Sequence, residues 1–239
     1  MIDIRFNVYS DTPPGKDPDS FSLTLRQYHK LLWSKPLPNG VFFNLNDKKP
    51  MLLHHQSDLG EFFLSSDSIG HTYGGSGIGY VVKSMVHILN QIPPDELKDF
   101  FEASSTIGAF IIFPSKRINN KMTINGERGF NSKIKDRFDL TLECIRRHYE
   151  NESSPLGSVL HRYSSFFNLF KSFQGYVDFF LLQDLVEENY SSIKFFLPFN
   201  NFKQSPLPHS VDEYLIYKEN VLRFIKARNH KIKSTMSFY

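Results

Sequence analysis

The sequence has very little cysteine: Cys144 is the only one among 239 residues. A single cysteine cannot form an intramolecular disulfide, and this scarcity is typical of proteins that stay in a reducing compartment. The first residues, 1–6, lack a basic stretch leading into an apolar run, which argues against a signal peptide. We therefore expect a cytoplasmic protein.

Long hydrophobic runs are also absent. The most apolar stretch, 177–186, is interrupted by Asp178, Gln183 and Asp184, whereas a membrane-spanning helix needs about 18 or more nearly continuous apolar residues. We expect a soluble chain that does not interact with a membrane.

The two interrupting aspartates are either catalytic acids or partners of an arginine from the centre of the chain, because a buried carboxylate needs a charged partner or a shifted pKa.

Several common catalytic and metal-binding motifs are missing. The nine histidines show no metal-ligand spacing, so we expect no metal. The glycine-rich segment 70–79 precedes a predicted helix but has neither the Lys-Ser/Thr pair of a P-loop nor dinucleotide-binding spacing, which favours a surface loop. No nucleophile elbow is present, and Cys144 lies in a predicted helix among acids, where a reactive thiolate is disfavoured.

What the sequence does have is an uneven distribution of positive charge. The formal net charge is +3, yet residues 116–149 carry nine basic and four acidic side chains. The predicted C-terminal helix, within 211–233, is basic as well. Two basic clusters in a nearly neutral protein indicate an anionic partner. The alternative is a solvated surface whose counter-charges are brought in by folding.

Periodicity predicts an α+β fold with one domain over residues 1–239, a small mixed sheet and a helical C-terminal half. Alternating residues predict a strand at 2–9, and the nearly all-apolar segment 106–113 predicts a central strand. Shorter strands are expected at 42–45, 50–54, 61–65, 122–124 and 193–199. Helices are expected at 22–33, 80–90, 95–103, 136–149, 158–173, 177–188 and 211–228.

The central basic segment contains the densest group of reactive side chains. The pattern of residues 125–129 predicts a turn in which the side chains of Asn125 and Arg128 are accessible. Asp136 is expected to cap the following helix, on which Asp139, Glu143 and Arg146 share one solvent-facing side. Arginines with a nearby carboxylate can hold phosphates and support acid-base chemistry. An exposed ion-pair ladder explains the helical part of this pattern equally well.

Five segments carry a family resemblance: 28–40 (YHKLLWSKPLPNG), 62–67 (FFLSSD), 123–129 (TINGERG), 136–149 (DRFDLTLECIRRHY) and 179–186 (FFLLQDLV). Together they resemble a widespread bacterial family of unknown function over nearly the whole chain. That family is similar to bacteriophage replication inhibition DNA glycosylases, which excise a modified base from invading phage DNA. The resemblance implies an antiviral defence enzyme that binds DNA rather than RNA and assigns no residue a role.

Base excision requires flipping a base into a pocket, stacking it on aromatic rings and stabilising an oxocarbenium-like sugar. No metal or cofactor is needed for this chemistry. Asp136 and Asp139 are the candidate catalytic carboxylates. The candidate nucleic-acid contacts are the basic and amide side chains of the two basic clusters: Arg117, Asn125, Arg128, Arg137, Arg146, Arg147, His148, Arg223 and Arg228.

Three other functions are compatible with the same residues. A ribonuclease-type toxin or effector would use Arg223 and His230, although Phe224 stands where such enzymes favour a polar residue. A non-catalytic nucleic-acid-binding module would need only the basic clusters. An enzyme for small molecules would act independently of salt, unlike a protein that binds nucleic acid.

Overall fold

Two antiparallel sheets contain the strands of this computed structural model, which describes residues 2–49, 52–70, 73 and 79–236. The strands are β1 (Lys35–Pro36), β2 (Phe42–Phe43), β3 (Asn46–Lys49), β4 (Leu52–Ser57), β5 (Gly60–Ser68) and β6 (Phe110–Pro114). β1 pairs with β2, and the larger sheet has the order β3-β4-β5-β6. The α+β class is confirmed, but the described strands pair only in antiparallel fashion, not in the mixed sheet we expect from sequence.

Helices account for most of the remaining regular structure. They are α1 (Pro18–Phe21), α2 (Leu23–Trp33), α3 (Gly79–Leu89), α4 (Pro94–Ala103), α5 (Ile124–Phe130), α6 (Phe138–Tyr149), α7 (Gly157–Arg162), α8 (Ser164–Asn168), α9 (Phe173–Phe179) and α10 (Val211–Met236). The predicted helical C-terminal half is confirmed, although the helix expected at 158–173 is divided into two. No helix in the described ranges is long and apolar enough to cross a bilayer.

The segment expected to be a central strand forms the edge of the sheet instead. Ile107–Ala109 makes a 3₁₀ turn, and β6 then pairs with β5 on one side only. All five residues of β6 are nevertheless buried. The guanidinium of Arg228 in α10 donates hydrogen bonds to the carbonyls of Gly108 (2.9 Å) and Phe110 (2.7 Å). A covering helix therefore replaces the missing neighbouring strand.

Three short strand predictions are wrong. Residues 2–9 contain no strand, and Val8–Asp11 forms a 3₁₀ helix because the Asn7 side chain accepts a hydrogen bond from the Tyr9 N–H. Thr123 begins a helix, since its hydroxyl accepts from Gly126 N–H. Between 193 and 199 the structure has one isolated bridge, Val186 to Ile193.

The buried hydrophobic side chains form one continuous cluster that extends from Ile2 to Ile232. Much of it is aromatic: the ring of Phe170 lies 5.0–5.3 Å from those of Phe166, Tyr176, Phe179 and Phe180. These edge-on and tilted contacts are the geometries that aromatic pairs prefer. Most of the abundant phenylalanine therefore stabilises the core.

Candidate functional site

Several polar side chains lie close together at the C-terminal end of β5. The described pairing of β5 with β4 ends at Leu64, whereas its pairing with β6 continues to Ser68. Among the described residues, β4 therefore pairs only with the first part of β5, and α1 packs against β5. Ser66 and Asp67 lie here, where side chains from α1, α2 and α5 can reach them.

Arg128 of α5 fixes the position of Asp67. Its guanidinium is fully buried and forms an ion pair with the Asp67 carboxylate. It also donates to Thr141 Oγ1 (3.0 Å), Ser68 O (3.1 Å) and Asp136 O (3.2 Å). Every nitrogen of the guanidinium has a protein partner. Arg128 therefore holds the end of β5 against the start of α6 and is not available for a phosphate.

Asp136 lies beside this ion pair in an uncommon backbone conformation. Both Lys135 (φ 45°) and Asp136 (φ 60°) are in the left-handed region, which costs free energy in residues other than glycine and clusters at functional sites. Asp136 does not cap α6 as we expect from sequence, since Arg137 occupies the N-cap position without a side-chain cap bond. Its carbonyl instead accepts from Arg128.

The three carboxyl groups of this site, Asp19, Asp67 and Asp136, bind protons more strongly than ordinary aspartates. Burial raises the pKa of Asp67 to about 6, with Arg128 opposing the rise and Asp136 adding to it. Burial also raises the pKa of Asp136. The pKa of Asp19 in α1 is raised well above its usual range, first by burial and then by the charge of Asp67. The cluster thus offers acids and bases of different strength at one place.

A directed hydrogen-bond chain ends at Ser66. The indole N–H of Trp33 donates to His29 Nδ1 (3.0 Å), and His29 Nε2 lies 2.9 Å from Ser66 Oγ. Because Nδ1 accepts, the neutral ring carries its hydrogen on Nε2 and donates it to Ser66. Burial and the charge of Arg228 lower the pKa of His29 to about 3. His29 is therefore a donor here and cannot act as the general base for a serine nucleophile.

Two buried acceptors of the site have no hydrogen-bond partner in the described structure. They are Oδ1 of Asp19 and Oδ1 of Asn125. The Asn125 amide nitrogen itself donates to Ser66 O (3.2 Å). A cavity of about 10 Å³ adjoins Asp19 and is also lined by His29 and Ser66. That volume is close to the minimum for one water molecule, so a small donor could satisfy Asp19 there.

The surface around α5 is positively charged. Four basic side chains within 116–133 are exposed: Lys116, Arg117, Lys121 and Lys133. Phe130, the last residue of α5, is 67% exposed. An exposed aromatic ring among cationic side chains is a common element of nucleic-acid-binding surfaces.

The predicted catalytic residue Asp139 does not belong to this site. It is fully buried, its carboxylate accepts from the Arg137 guanidinium and from Phe196 N–H (2.9 Å), and Arg137 also donates to Pro206 O (3.0 Å). Both side chains have protein partners, and the Arg137 side chain is only 3% exposed. This ion pair joins α6 to the segment before α10. The catalytic role of Asp139 and the nucleic-acid contact of Arg137 stay predictions.

The face of α6 that we expect to be solvent-facing is largely covered. Glu143 is 4% exposed and accepts from Arg146 Nε (2.9 Å) and Arg147 Nε (2.7 Å). Both arginines keep a small exposed part, 17% and 16% of the side chain. His148 packs on the ring of Phe167, and burial lowers its pKa. Glu143, Arg146 and Arg147 form an ion-pair cluster toward the C-terminal end of α6, whereas Asp136 lies before its N-terminal end.

The two predicted nucleic-acid contacts on α10 differ in their exposure. Arg228 is fully buried among carbonyl groups, including that of Phe180 (3.0 Å), so it cannot contact nucleic acid. Arg223 is exposed and pairs with Glu219, one turn earlier. Asp184 pairs with Lys231, not with an arginine of the central segment, and Asp178 accepts from neighbouring side chains.

The structure thus brings together three predicted site residues, Asn125, Arg128 and Asp136, and adds Asp19 and Asp67. Asp67 is the penultimate residue of β5, so its position near the end of a predicted strand was a usable signal. Asp19 lies in a short N-terminal helix, and no spacing in the sequence relates it to the others. Only the packing of α1 on β5 places it here.

Within the described part of the chain, no three histidine, cysteine, aspartate or glutamate side chains are arranged to hold a metal ion. No curated protein and no solved structure matches the chain. A family model described as a family of unknown function, DUF6994, matches residues 2–232. That match spans nearly the whole sequence, and the chain therefore belongs to this family of unknown function.

Proposed function

We propose that the chain is a hydrolase that cleaves the N-glycosidic bond of a base in DNA, with the carboxyl groups at the end of β5 as its acid-base pair. The observation that carries this proposal is the pair Asp19 and Asp67, two adjoining carboxyl groups whose pKa values are both raised. Strongly perturbed carboxyl groups in one cluster are typical of acid-base catalysis. A base-excising role in defence against phages follows if the substrate is phage DNA.

The chemistry assigns different tasks to the two groups. Asp19, whose pKa is the more strongly raised, donates a proton to the departing base. Asp67, ionised above pH about 6, takes a proton from the attacking water or stabilises the cationic sugar. The C1′–N bond breaks as Asp19 protonates the base, and a C1′–O bond to water forms as Asp67 takes the water's proton. Transfer of that proton from Asp67 to Asp19 restores the starting state. Arg128 and Asp136 position Asp67 through the contacts described above.

The surroundings favour a polyanionic substrate. The exposed cations Lys116, Arg117, Lys121 and Lys133 lie in the segment that leads into and out of α5. Such groups bind the DNA backbone and carry most of the sequence-independent affinity. Phe130 adds an exposed ring that can stack on a displaced base.

The test is to incubate the purified chain with unmodified and phage-type modified duplex DNA and then treat the product with alkali. Strand breaks that appear only after alkali indicate abasic sites. We expect Asp67→Asn to lower the rate by about 10²–10⁴-fold, the usual range for loss of an acid-base group. Asp58→Asn, the same change in the exposed β4–β5 turn, should leave the rate unchanged.

The wild-type rate should rise with pH through about 6, as Asp67 ionises.

Intact DNA of every kind, at protein concentrations that bind it, would contradict the glycosylase proposal for those substrates. Equal rates for the Asp67 and Asp58 variants would remove the β5 cluster from the mechanism even if DNA were cleaved.

A ribonuclease is the second candidate, because Arg223 and His230 are both exposed on α10. RNA degradation that is lost in His230→Ala and retained in Asp67→Asn would favour it. Binding of DNA or RNA that survives all of these substitutions without any product would favour a non-catalytic binding module.

A further inference from the structure

A second and larger cavity opens where β1 meets α9. Its volume is about 450 Å³, and its lining includes Lys35, Pro38, Gln174, Asp178 and Phe179. None of these residues belongs to the β5 cluster. The size suits a small organic molecule, and the lining combines apolar surface with a cation and an anion.

Lys35 is held firmly at the wall of this cavity. Its Nζ donates to the carbonyl of Phe179 (2.6 Å) and lies 4.6 Å from the ring centre of Phe179 and 5.1 Å from that of Trp33. The Phe179 carbonyl accepts a hydrogen bond from one of the three N–H groups of the Lys35 ammonium. The lysine therefore has a fixed position and retains hydrogens for a ligand.

The surroundings of Lys35 favour its neutral form. Burial, and after it the buried cation Arg228 of α10, lower the pKa of Lys35 to about 8, although Asp178 of α9 opposes the shift. These are the charged groups that act on Lys35 from the elements packed against it. About half of the amine is neutral at pH 8, against well under 1% for an ordinary lysine. Desolvation and a neighbouring cation are the two usual ways in which proteins activate a lysine.

We propose that this cavity is a carbonyl-binding site in which Lys35 forms an imine with an aldehyde. The Lys35 nitrogen bonds to the carbonyl carbon, and the resulting carbinolamine loses its oxygen as water to give the C=N bond. No oxidant or reductant is required. The ligand class is a small aldehyde whose apolar part packs against Phe179 and Pro38 and whose hydroxyl or amino group can reach the Asp178 carboxylate. The site does not depend on the function proposed above.

The experiment uses the full chain with 4-hydroxybenzaldehyde and cyanoborohydride, which reduces an imine to a stable amine. Peptide mass spectrometry then measures the extent of labelling at each lysine. We expect Lys35 to react at least about ten-fold faster than Lys171 at pH 7.5, because a lower pKa leaves more neutral amine. Lys171 is a suited internal reference, since it is exposed and its Nζ lies 3.4 Å from the carbonyl of Pro38 at the same cavity.

Two matched variants complete the test. Lys35→Arg keeps a cation over the two rings but cannot form an imine, so the fast adduct should disappear, while Lys171→Arg should leave it unchanged. Equal labelling of Lys35 and Lys171 in the wild type, or slower labelling of Lys35, would overturn the proposal. These readouts need no nucleic acid, so they fail or succeed separately from the glycosylase assay.

Discussion

Arg128 illustrates how far a single residue can depart from what its sequence context suggests. Its place in an Asn-Gly-Glu-Arg-Gly segment indicates a turn with an accessible guanidinium, yet the side chain is fully buried between Asp67, Ser68 and Asp136. A buried arginine is retained where several acceptors converge on it, because an unpaired charge in the interior is costly. The composition of the segment contains no information about those acceptors.

His29 offers a measurable consequence of burial at the residue scale. Its folded-state pKa, about 3, lies below the value near 6.5 of an unfolded chain. The unfolded state therefore binds a proton that the folded state does not, and the free energy of unfolding should decrease as pH falls from about 6.5 to about 3. The upper limit is about 5 kcal/mol, at 1.36 kcal/mol per pKa unit.

Denaturant unfolding at a series of pH values measures this slope. His29→Gln, which keeps a polar side chain between Trp33 and Ser66, should reduce the decrease because glutamine does not titrate. His87, which is exposed on α3, is the matched control, and His87→Gln should leave the slope unchanged. An identical slope in wild type and His29→Gln would mean that His29 is not the group responsible.

Helices that the periodicity predicts are largely present, whereas the strands depend on their neighbours. α2 begins after Ser22, whose side chain accepts a hydrogen bond from Leu25 N–H, and it ends at Trp33. The apolar segment 106–113 instead becomes an edge, because α10 and Arg228 occupy the side where another strand would pair. A local pattern specifies helix and cap, but it does not specify which element lies beside a strand.

The close approach of α10 to the turn before β6 makes a prediction at the scale of the element. A Cβ on Gly108 would lie 2.6 Å from Asn229 Oδ1 and 2.8 Å from the backbone oxygen of Ile225. We expect Gly108→Ala to destabilise the chain by about 2 kcal/mol or more, since α10 must move away and the Gly108 N–H bond to Asn229 is weakened. Thermal or denaturant unfolding measures the change.

Gly126, inside α5, is the matched control. A Cβ there would meet Met122 at 3.5 Å, which is ordinary contact. Gly126→Ala should therefore stabilise the chain by about 0.5–1 kcal/mol through helix propensity. If both substitutions had the same effect, the close packing of α10 on Gly108 would be wrong.

Burial decides which basic side chains of the whole molecule remain at its surface. Of the nine basic residues in 116–149, Arg128 and Arg137 are buried, and Arg146 and Arg147 are largely occupied by Glu143. The exposed cations lie in the segments that flank α5. A second exposed row lies on α10 at Arg223, Lys226, His230 and Lys233.

If DNA binds over α5, its affinity should depend strongly on salt. Replacing Lys116, Arg117, Lys121 and Lys133 with serine should reduce the slope of log K against log salt by about 0.9 for each lost phosphate contact, thus by about 3–4 in total. Fluorescence anisotropy over a range of salt concentrations measures the slope. The comparison variant replaces Arg223, Lys226 and Lys233 of α10 with serine and should change it less. A larger effect on α10 would place the DNA on that helix instead.

The sequence by itself determined the α+β class, most helices and the basic character of the centre. It also determined the membership of Asn125, Arg128 and Asp136 in one polar region. These follow from local periodicity and composition, which act over a few residues. Only the tertiary structure decided that Arg128, Arg137, Asp139 and Arg228 are interior and that Asp19 and Asp67 join Asp136. Burial and pKa depend on which distant segments pack together, and the end of β5 meets α1 and α5 only in the folded chain.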